Sequence, residues 1–293
     1  MPSHRGACMR IMKPAASINA EQRELWNAQT ADYWVRHKSA LDKLLQPLTD
    51  LLLEAADLSG SEQVADIGCG TGATALQIAS ALNDGGHVIG IDISRKLIHS
   101  AARAAEKTGI QNVSFIEADA ARFAFDKPQD LLISRCGVMF FGDLIKAFSH
   151  LRKALQPDGR LLLAVWCAPE ENEWYQFPMQ CVEAFSDTHS APDYDAPGAF
   201  TLAKEARVRD ILNTAGFTDI NLASHQPTLL VGSTVSEAAE LFMAMNSIRT
   251  LLHGADDALE KRVLQHMLEG LKDYQQDAGV YMKSACWLIS AKP

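Results

Sequence analysis

The chain has 293 residues, 47% of them hydrophobic, and its 36 acidic against 27 basic side chains give a formal charge of −9. That length and apolar content can bury a sizeable core and favour one large domain with a lid over two independent ones. The acidic balance, without a long basic run, argues against a nucleic-acid partner; no apolar stretch approaches the roughly 20 residues that span a bilayer; and six cysteines without a C-x-x-C pair indicate neither a metal site nor a disulfide framework, only reduced cytoplasmic thiols.

Residues 1–20 hold basic side chains but no proper apolar run, so they read as a flexible extension and not a secretory signal, with Met12 as an alternative start. Two cap helices are predicted over 20–37 and 41–58. In the second, Leu41, Leu44, Leu45, Leu48, Leu51 and Leu52 recur at helical spacing, and Pro47 is expected to kink or split it. Strands follow near 64–67, 88–91, 113–117, 130–133 and 160–166, separated by helices near 73–82, 95–108 and 143–155. Such alternation with right-handed crossovers builds a parallel sheet with helices on both faces. A helix over 204–215 with Gly216 as its C-cap, then strands near 218–226 and 279–290, complete it. Two stretches stand outside this core: 168–198, rich in aromatics, and 236–276, read as two helices. The resulting division is an extension (1–20), cap helices (21–58), core (59–167), a cap insertion (168–200), core continued (201–231), a helical lid (232–278) and the last core strand (279–293).

Residues 64–72 read Val-Ala-Asp-Ile-Gly-Cys-Gly-Thr-Gly: a short strand running into three glycines at alternate positions, then a helix. This places a backbone-lined crevice at the carboxyl end of a strand, where a Cβ would hold a ligand off the backbone. Twenty-six residues after Asp66, Asp92 ends the second strand, where a carboxylate can accept from ribose hydroxyls. Gly68, Gly70 and Ala73 also satisfy G-x-G-x-x-G/A, so a dinucleotide fits the pattern and an NAD-dependent oxidoreductase is the rival reading. Asp66 weighs against it. Beside a pyrophosphate its charge would cost about 1 to 4 kcal/mol, whereas S-adenosylmethionine (SAM), with an ammonium, a sulfonium and no phosphate, turns that cost into attraction.

The sequence resembles the class I SAM-dependent methyltransferases, most strongly the bacterial small-molecule branch near the ubiquinone and menaquinone enzymes, over nearly its whole length. The motifs are residues 64–72, the acidic end of the second strand at 89–94, Phe115-Ile116-Glu117-Ala118-Asp119-Ala120, the fourth-strand segment 130–143, and the turn 155–160 with strand 161–166. Asp158 departs from the usual first glycine of that turn. Trp26, Tyr33, Trp34, Ala199-Phe200-Thr201 and Ala215-Gly216-Phe217 also look like that branch. The resemblance implies an α/β, Rossmann-like seven-stranded sheet, mostly parallel with an antiparallel last strand, plus a helical cap. It implies SAM as cofactor and a small organic acceptor methylated at O, N or C. The motifs say little about that acceptor; the aromatic cap suggests that it is partly apolar. A monomer or homodimer is expected.

On that reading the backbone at Gly68, Gly70 and Gly72 cradles the cofactor and Asp66 faces its ammonium, unless Asp66 only binds turn amides. Asp92 takes the ribose hydroxyls, the competing role being a helix N-cap. Ile93 packs on adenine, Asp119 accepts from its amino group and Ala120 gives it an amide; Asp119 as a solvated loop acid is the alternative. The Ser134 carbonyl faces the ammonium. Arg135 pairs with a carboxylate of cofactor or acceptor, or else forms an internal ion pair with Asp66 or Asp143. Tyr33 and His37 share a helix face beside Trp34; Tyr33 and Trp34 line the acceptor pocket, close over the methionine, or simply pack. His37 is the candidate base, whereas His150 reads as structural. Trp166, Trp174, Met139, Phe140 and Phe141 are pocket wall or core. A non-catalytic SAM-binding scaffold and an RNA methyltransferase complete the alternatives. The fourth-strand motif lacks the Asn/Asp-Pro-Pro-Tyr run resembling base-amine methylating enzymes, and no basic aromatic strip stands out.

Overall fold

Apolar runs too short for helices become strands, and the amphipathic stretches between them become the helices that cover the sheet. The computed structural model describes residues 15–83, 85–186 and 193–293, with side chains from residue 19 onward. Helices α1 (Ala15–Asn27), α2 (Gln29–Arg36) and α3 (Lys38–Ala56) precede the alternating core. That core runs β1 (Gln63–Ile67), α4 (Ala73–Ala81), β2 (His87–Asp92), α5 (Arg95–Thr108), β3 (Val113–Glu117), β4 (Gln129–Arg135), α6 (Leu144–Arg152) and β5 (Leu155–Trp166). After it come α7 (Glu173–Glu183), α8 (Glu205–Thr214), β6 (Thr218–His225), β7 (Thr228–Gly232), α9 (Val235–Met243), α10 (Asn246–Leu251) and α11 (Asp257–Gly270). Strands β8 (Gln275–Gln276), β9 (Gly279–Lys283) and β10 (Cys286–Lys292) end the chain.

Seven strands form one sheet in the order β3-β2-β1-β4-β5-β10-β6. The first five are parallel, and β10 runs antiparallel between β5 and β6. Strand order reverses between β1 and β4, so the crevice for a ligand opens at their carboxyl ends. Asp66 lies there, level with Gly90 on β2 and Ile133 on β4. Both faces of the central strands are covered: Val64, Ile67, Leu131, Leu132, Ile133 and Leu163 are buried, the continuous apolar pattern of a parallel sheet.

Five expectations need correcting. Helix begins at Ala15, inside the stretch read as an extension; residues 1–14 lie outside the described residues, as do 187–192 of the cap insertion. The single helix over 20–37 is two, with the break at Ala28, where the Asn27 side chain is tied to the turn after β2. Conversely, α3 runs unbroken through Pro47. Buried Leu41, Leu44 and Leu45 before it and Leu48, Leu52 and Ala56 after it fix both halves, and tertiary packing outweighs the local penalty.

The fourth correction concerns the last strand. Residues 279–290 are two strands in two sheets: β9 joins β7 and β8 in a separate three-stranded sheet, and β10 enters the main one. The chain leaves one ladder for the other at Ser284 and Ala285. The Ser284 hydroxyl donates to the Pro227 carbonyl (2.6 Å) and the Ala285 amide to the buried Asn172 side chain (3.0 Å). The lid region likewise holds three helices, α9 to α11, where two were expected.

Candidate active site

The three alternate glycines all have positive φ, +69° at Gly68, +55° at Gly70 and +84° at Gly72, but only two of them face the crevice. A Cβ on Gly68 would lie 2.7 Å from the Cα of Gly137, so the turns after β1 and β4 touch there. A Cβ on Gly70 would meet nothing within 4 Å; the left-handed backbone, not crowding, calls for glycine, and Gly70 lines the open cavity. Gly72 packs against Ala101 and Phe115 and does not line the cavity.

The cavity beyond this loop has a volume of about 350 Å³, within the range of small-molecule sites. At one end stand Asp66, Asp92, Ile93, Asp119 and Ala120. Asp92 accepts from the Gly70 amide through Oδ2 and the Ser94 amide through Oδ1, each at 2.9 Å, and so fixes the glycine loop. Its competing reading as an N-cap fails, because Ser94 caps α5. Asp119 accepts from the Ala121 amide (3.0 Å) and from the Asn19 carboxamide (2.7 Å), so it is not a solvated loop acid.

Asp66 is buried, with Oδ2 enclosed and without a hydrogen-bond partner among the described residues. Burial pushes its carboxyl up to about 7; the Asp92 charge adds to the rise, while Arg135 and the Ala75 amide pull against it. Arg135 lines the cavity beside it. Its Nη1 donates to Thr49 Oγ1 on α3 at 2.7 Å, and its Nε is enclosed without a partner among the described residues. The internal ion pair is not formed: Asp143 instead caps α6 and pairs with Lys146 at 2.8 Å. Ser134 does not line the cavity. Its hydroxyl donates to the Ile67 carbonyl (2.7 Å) and accepts from the amides of Gly137 and Val138, bracing the two turns together.

The opposite end is apolar and aromatic. Tyr33, Trp34, Leu41, Leu44 and Leu45 reach it from α2 and α3, Met139, Phe140 and Phe141 from the segment after β4, Trp166 and Trp174 from β5 and α7, and Leu241, Phe242 and Met245 from the lid. The phenol of Tyr33, its pKa raised by burial, lies 3.5 Å from the Leu241 carbonyl. His37 is not among these residues. The ring packs against Tyr33 at a tilt, centroids 5.0 Å apart, and lines a separate recess with Arg36, Lys43 and Glu237. The helix predicted to carry both residues ends at Arg36, and His37 forms the junction with α3. His150 is structural, its Nε2 2.7 Å from the Phe123 carbonyl.

Several lining residues escaped the sequence. Asn19, Gln22 and Thr30 come from α1 and α2; Asn19 fell in the stretch read as an extension, and Gln22 and Thr30 lay in the predicted cap helix, where their helical spacing with Trp26 was the signal. Cys136 lines the cavity at φ +60°, a conformation unusual for a non-glycine residue. Burial pushes its thiol up to about 12, so it is no nucleophile near neutral pH.

Comparison with known proteins agrees with this geometry. A family model described as a methyltransferase domain matches residues 58–216. Nocamycin O-methyltransferase of Saccharothrix syringae is 28% identical over 68% of this chain and 77% of its own length. The uncharacterized methyltransferase YcgJ of Bacillus subtilis is 31% identical over 41% of this chain, which spans about half of that relative (47%). The crystal structure of YcgJ matches with a TM-score of 0.55 at 19% identity, covering 83% of this chain and 97% of that one. Magnesium protoporphyrin IX methyltransferase from Synechocystis, solved with S-adenosylhomocysteine bound, matches with a TM-score of 0.53 at 18% identity, covering 94% and 100%. At these identities the two structures establish the fold. The motif-bearing core is what the family model covers, and the chain belongs to the methyltransferase-domain family, the class I SAM-dependent enzymes.

Proposed function

We propose that the crevice holds SAM with its nucleoside at Asp92, Ile93, Asp119 and Ala120 and its methionine end at Asp66 and Arg135, and that the aromatic chamber holds a small, partly apolar acceptor. One observation carries the cofactor placement. Asp66 Oδ2 and Arg135 Nε are both enclosed and unpartnered among the described residues, and both residues line one cavity. One is an acceptor and the other a donor, the complement of an ammonium beside a carboxylate. Buried polar atoms left unpaired cost about 1–3 kcal/mol each, so a zwitterionic ligand removes two penalties. A pyrophosphate would relieve Arg135 but repel Asp66, which disfavours the dinucleotide.

When bound, SAM supplies an activated methyl group on a good leaving sulfur. The protein's task is then alignment, which can supply roughly 7 to 11 kcal/mol. The glycine loop and the acids Asp66, Asp92 and Asp119 hold one reactant, while Tyr33, Trp34 and Trp174 shape the other chamber and exclude water. Residues 59–167 and 201–231 with β10 serve as the core, except that β7 at the end of that range pairs in the separate three-stranded sheet, and the remaining described segments serve as cap. The names of relatives span O- and N-methyl transfer; the proposed acceptor atom is oxygen, nitrogen or carbon. The described free cysteines fit a reducing, cytoplasmic setting, and no described helix is long and apolar enough to cross a membrane. A monomer or homodimer needs no further partner.

Incubation with methyl-labelled SAM and a metabolite extract, followed by mass spectrometry, tests this reading. A small molecule gaining one labelled methyl group is expected. Cofactor binding without transfer to any extract component would favour the scaffold reading instead.

A further inference from the structure

Helix α1 lies across the cavity mouth. Asn19, Gln22 and Trp26 occupy positions i, i+3 and i+7, so they share a helix face, and all three line the cavity. At one end of that face the Asn19 carboxamide donates to Asp119 Oδ2 at 2.7 Å. At the other, Trp26 meets Phe140 edge-on, ring centroids 4.9 Å apart. Between them the Gln22 Oε1 is enclosed with no hydrogen-bond partner among the described residues. The bar is fastened from outside. Asn27 accepts from the Arg95 amide (3.0 Å) and donates to the Ile93 carbonyl (3.2 Å), gripping the turn directly after Asp92. Arg23 approaches Glu117 at the end of β3 (3.7 Å), and Asp32 on α2 pairs with Lys96 (2.6 Å). These outer anchors lie in the β2–α5 turn, in the first turn of α5 at Lys96 and at Glu117, the last residue of β3, all beside the Asp92 and Asp119 end of the cavity. Thr30, also buried and lining the cavity, likewise leaves its hydroxyl without a partner among the described residues.

We propose that α1 and α2 form a strap that reads the adenosyl half of the cofactor, with Gln22 as a cofactor contact that accepts a hydrogen bond from that half. Asn19 and Asn27 are positioning residues. The first orients the Asp119 carboxylate, and the second fixes the strap to the turn beside the ribose acid. The inference rests on the cofactor placement proposed above and adds to it a wall that the glycine-loop motifs do not contain. It accounts for a carboxamide oxygen enclosed without a donor, because an adenosine offers an amino group and two ribose hydroxyls, more donors than Asp92 and Asp119 need share. It also makes strap closure depend on the nucleoside and not on the amino-acid end.

Amide hydrogen exchange of the full chain, read over residues 19–36, separates the outcomes, using S-adenosylhomocysteine, 5′-methylthioadenosine and methionine as probes. The first two are expected to slow exchange of the strap about tenfold or more, and methionine to leave it unchanged. By calorimetry, Gln22→Leu is expected to weaken S-adenosylhomocysteine and 5′-methylthioadenosine by the same factor, about tenfold, the loss of one buried hydrogen bond. An unchanged thermal midpoint of the unliganded variant confirms its fold. If S-adenosylhomocysteine binds the wild type but leaves the strap unprotected, or binds Gln22→Leu as tightly as wild type, the strap inference is overturned and the cofactor placement stands. If it does not bind the wild type, both fall.

Discussion

At the scale of single residues, Asp66 is the most informative. Its carboxyl is pushed up to about 7, burial being the main cause, whereas an unfolded aspartate titrates near 3.9. The native state therefore holds more protons than the unfolded one between those values, and the unliganded protein loses stability as pH rises through that window. A cationic ligand reverses this, because it favours the ionised carboxylate. Affinity for S-adenosylhomocysteine should rise several-fold from about pH 5.5 to about pH 7.5, and Asp66→Asn should flatten that rise while weakening binding about ten- to a hundredfold. Calorimetric titrations across the range check both; a pH-independent wild type would remove Asp66 from the ammonium site. His37 shows why single residues mislead. Its distance from Tyr33 along the chain was right for a shared face, and the two rings do touch, but α2 ends at Arg36, so Tyr33 lines the cavity while His37 lines a different recess.

Among elements, the turns after β1 and β4 work as one unit. The Ser134 hydroxyl bridges the Ile67 carbonyl and the Gly137 and Val138 amides, and Gly137 lies so close that a Cβ would stand 2.5 Å from the Ile67 oxygen. Ser134→Ala leaves those buried backbone groups short of a partner. It should cost about 1–3 kcal/mol of stability and loosen the crevice, read as a lower denaturant midpoint together with weaker S-adenosylhomocysteine binding. An unchanged midpoint would show that the two turns hold each other without it. The strands and the glycine loop were legible because each is written locally, in an apolar run, an acid at its end and glycines at alternate positions. The break between β9 and β10 was not. A continuous run of strand-forming residues does not record which sheet each half joins; the hydrogen bonds from Ser284 and Ala285 to distant Pro227 and Asn172 decide that. Pro47 is the converse case, a strong local signal overruled by burial on both sides.

Across the whole molecule, the cavity is assembled from segments far apart in sequence. The sheet edge, overlaid by α1, supplies its polar end, and α2, α3, α7, the lid and the segment after β4 supply its aromatic end. That division explains what sequence alone could reach. Much of the polar end belongs to contiguous motifs, so Asp66, Gly68, Gly70, Asp92, Ile93, Asp119 and Ala120 could be named in advance, although Gly72 and Ser134 do not line the cavity and Cys136 was missed. The aromatic end instead depends on how three remote segments meet above the sheet, and Leu241 or Met245 carry no local mark of it. It also gives the cavity two chemically distinct ends, one of backbone and acids and the other an apolar enclosure. The most direct test of this account is a crystal structure grown with S-adenosylhomocysteine. It should show the adenosine between Asp92, Ile93 and Asp119, with the amino-acid end against Asp66 and Arg135. A crevice left empty, or one that takes the ligand with its carboxylate and ammonium away from both side chains, would contradict it.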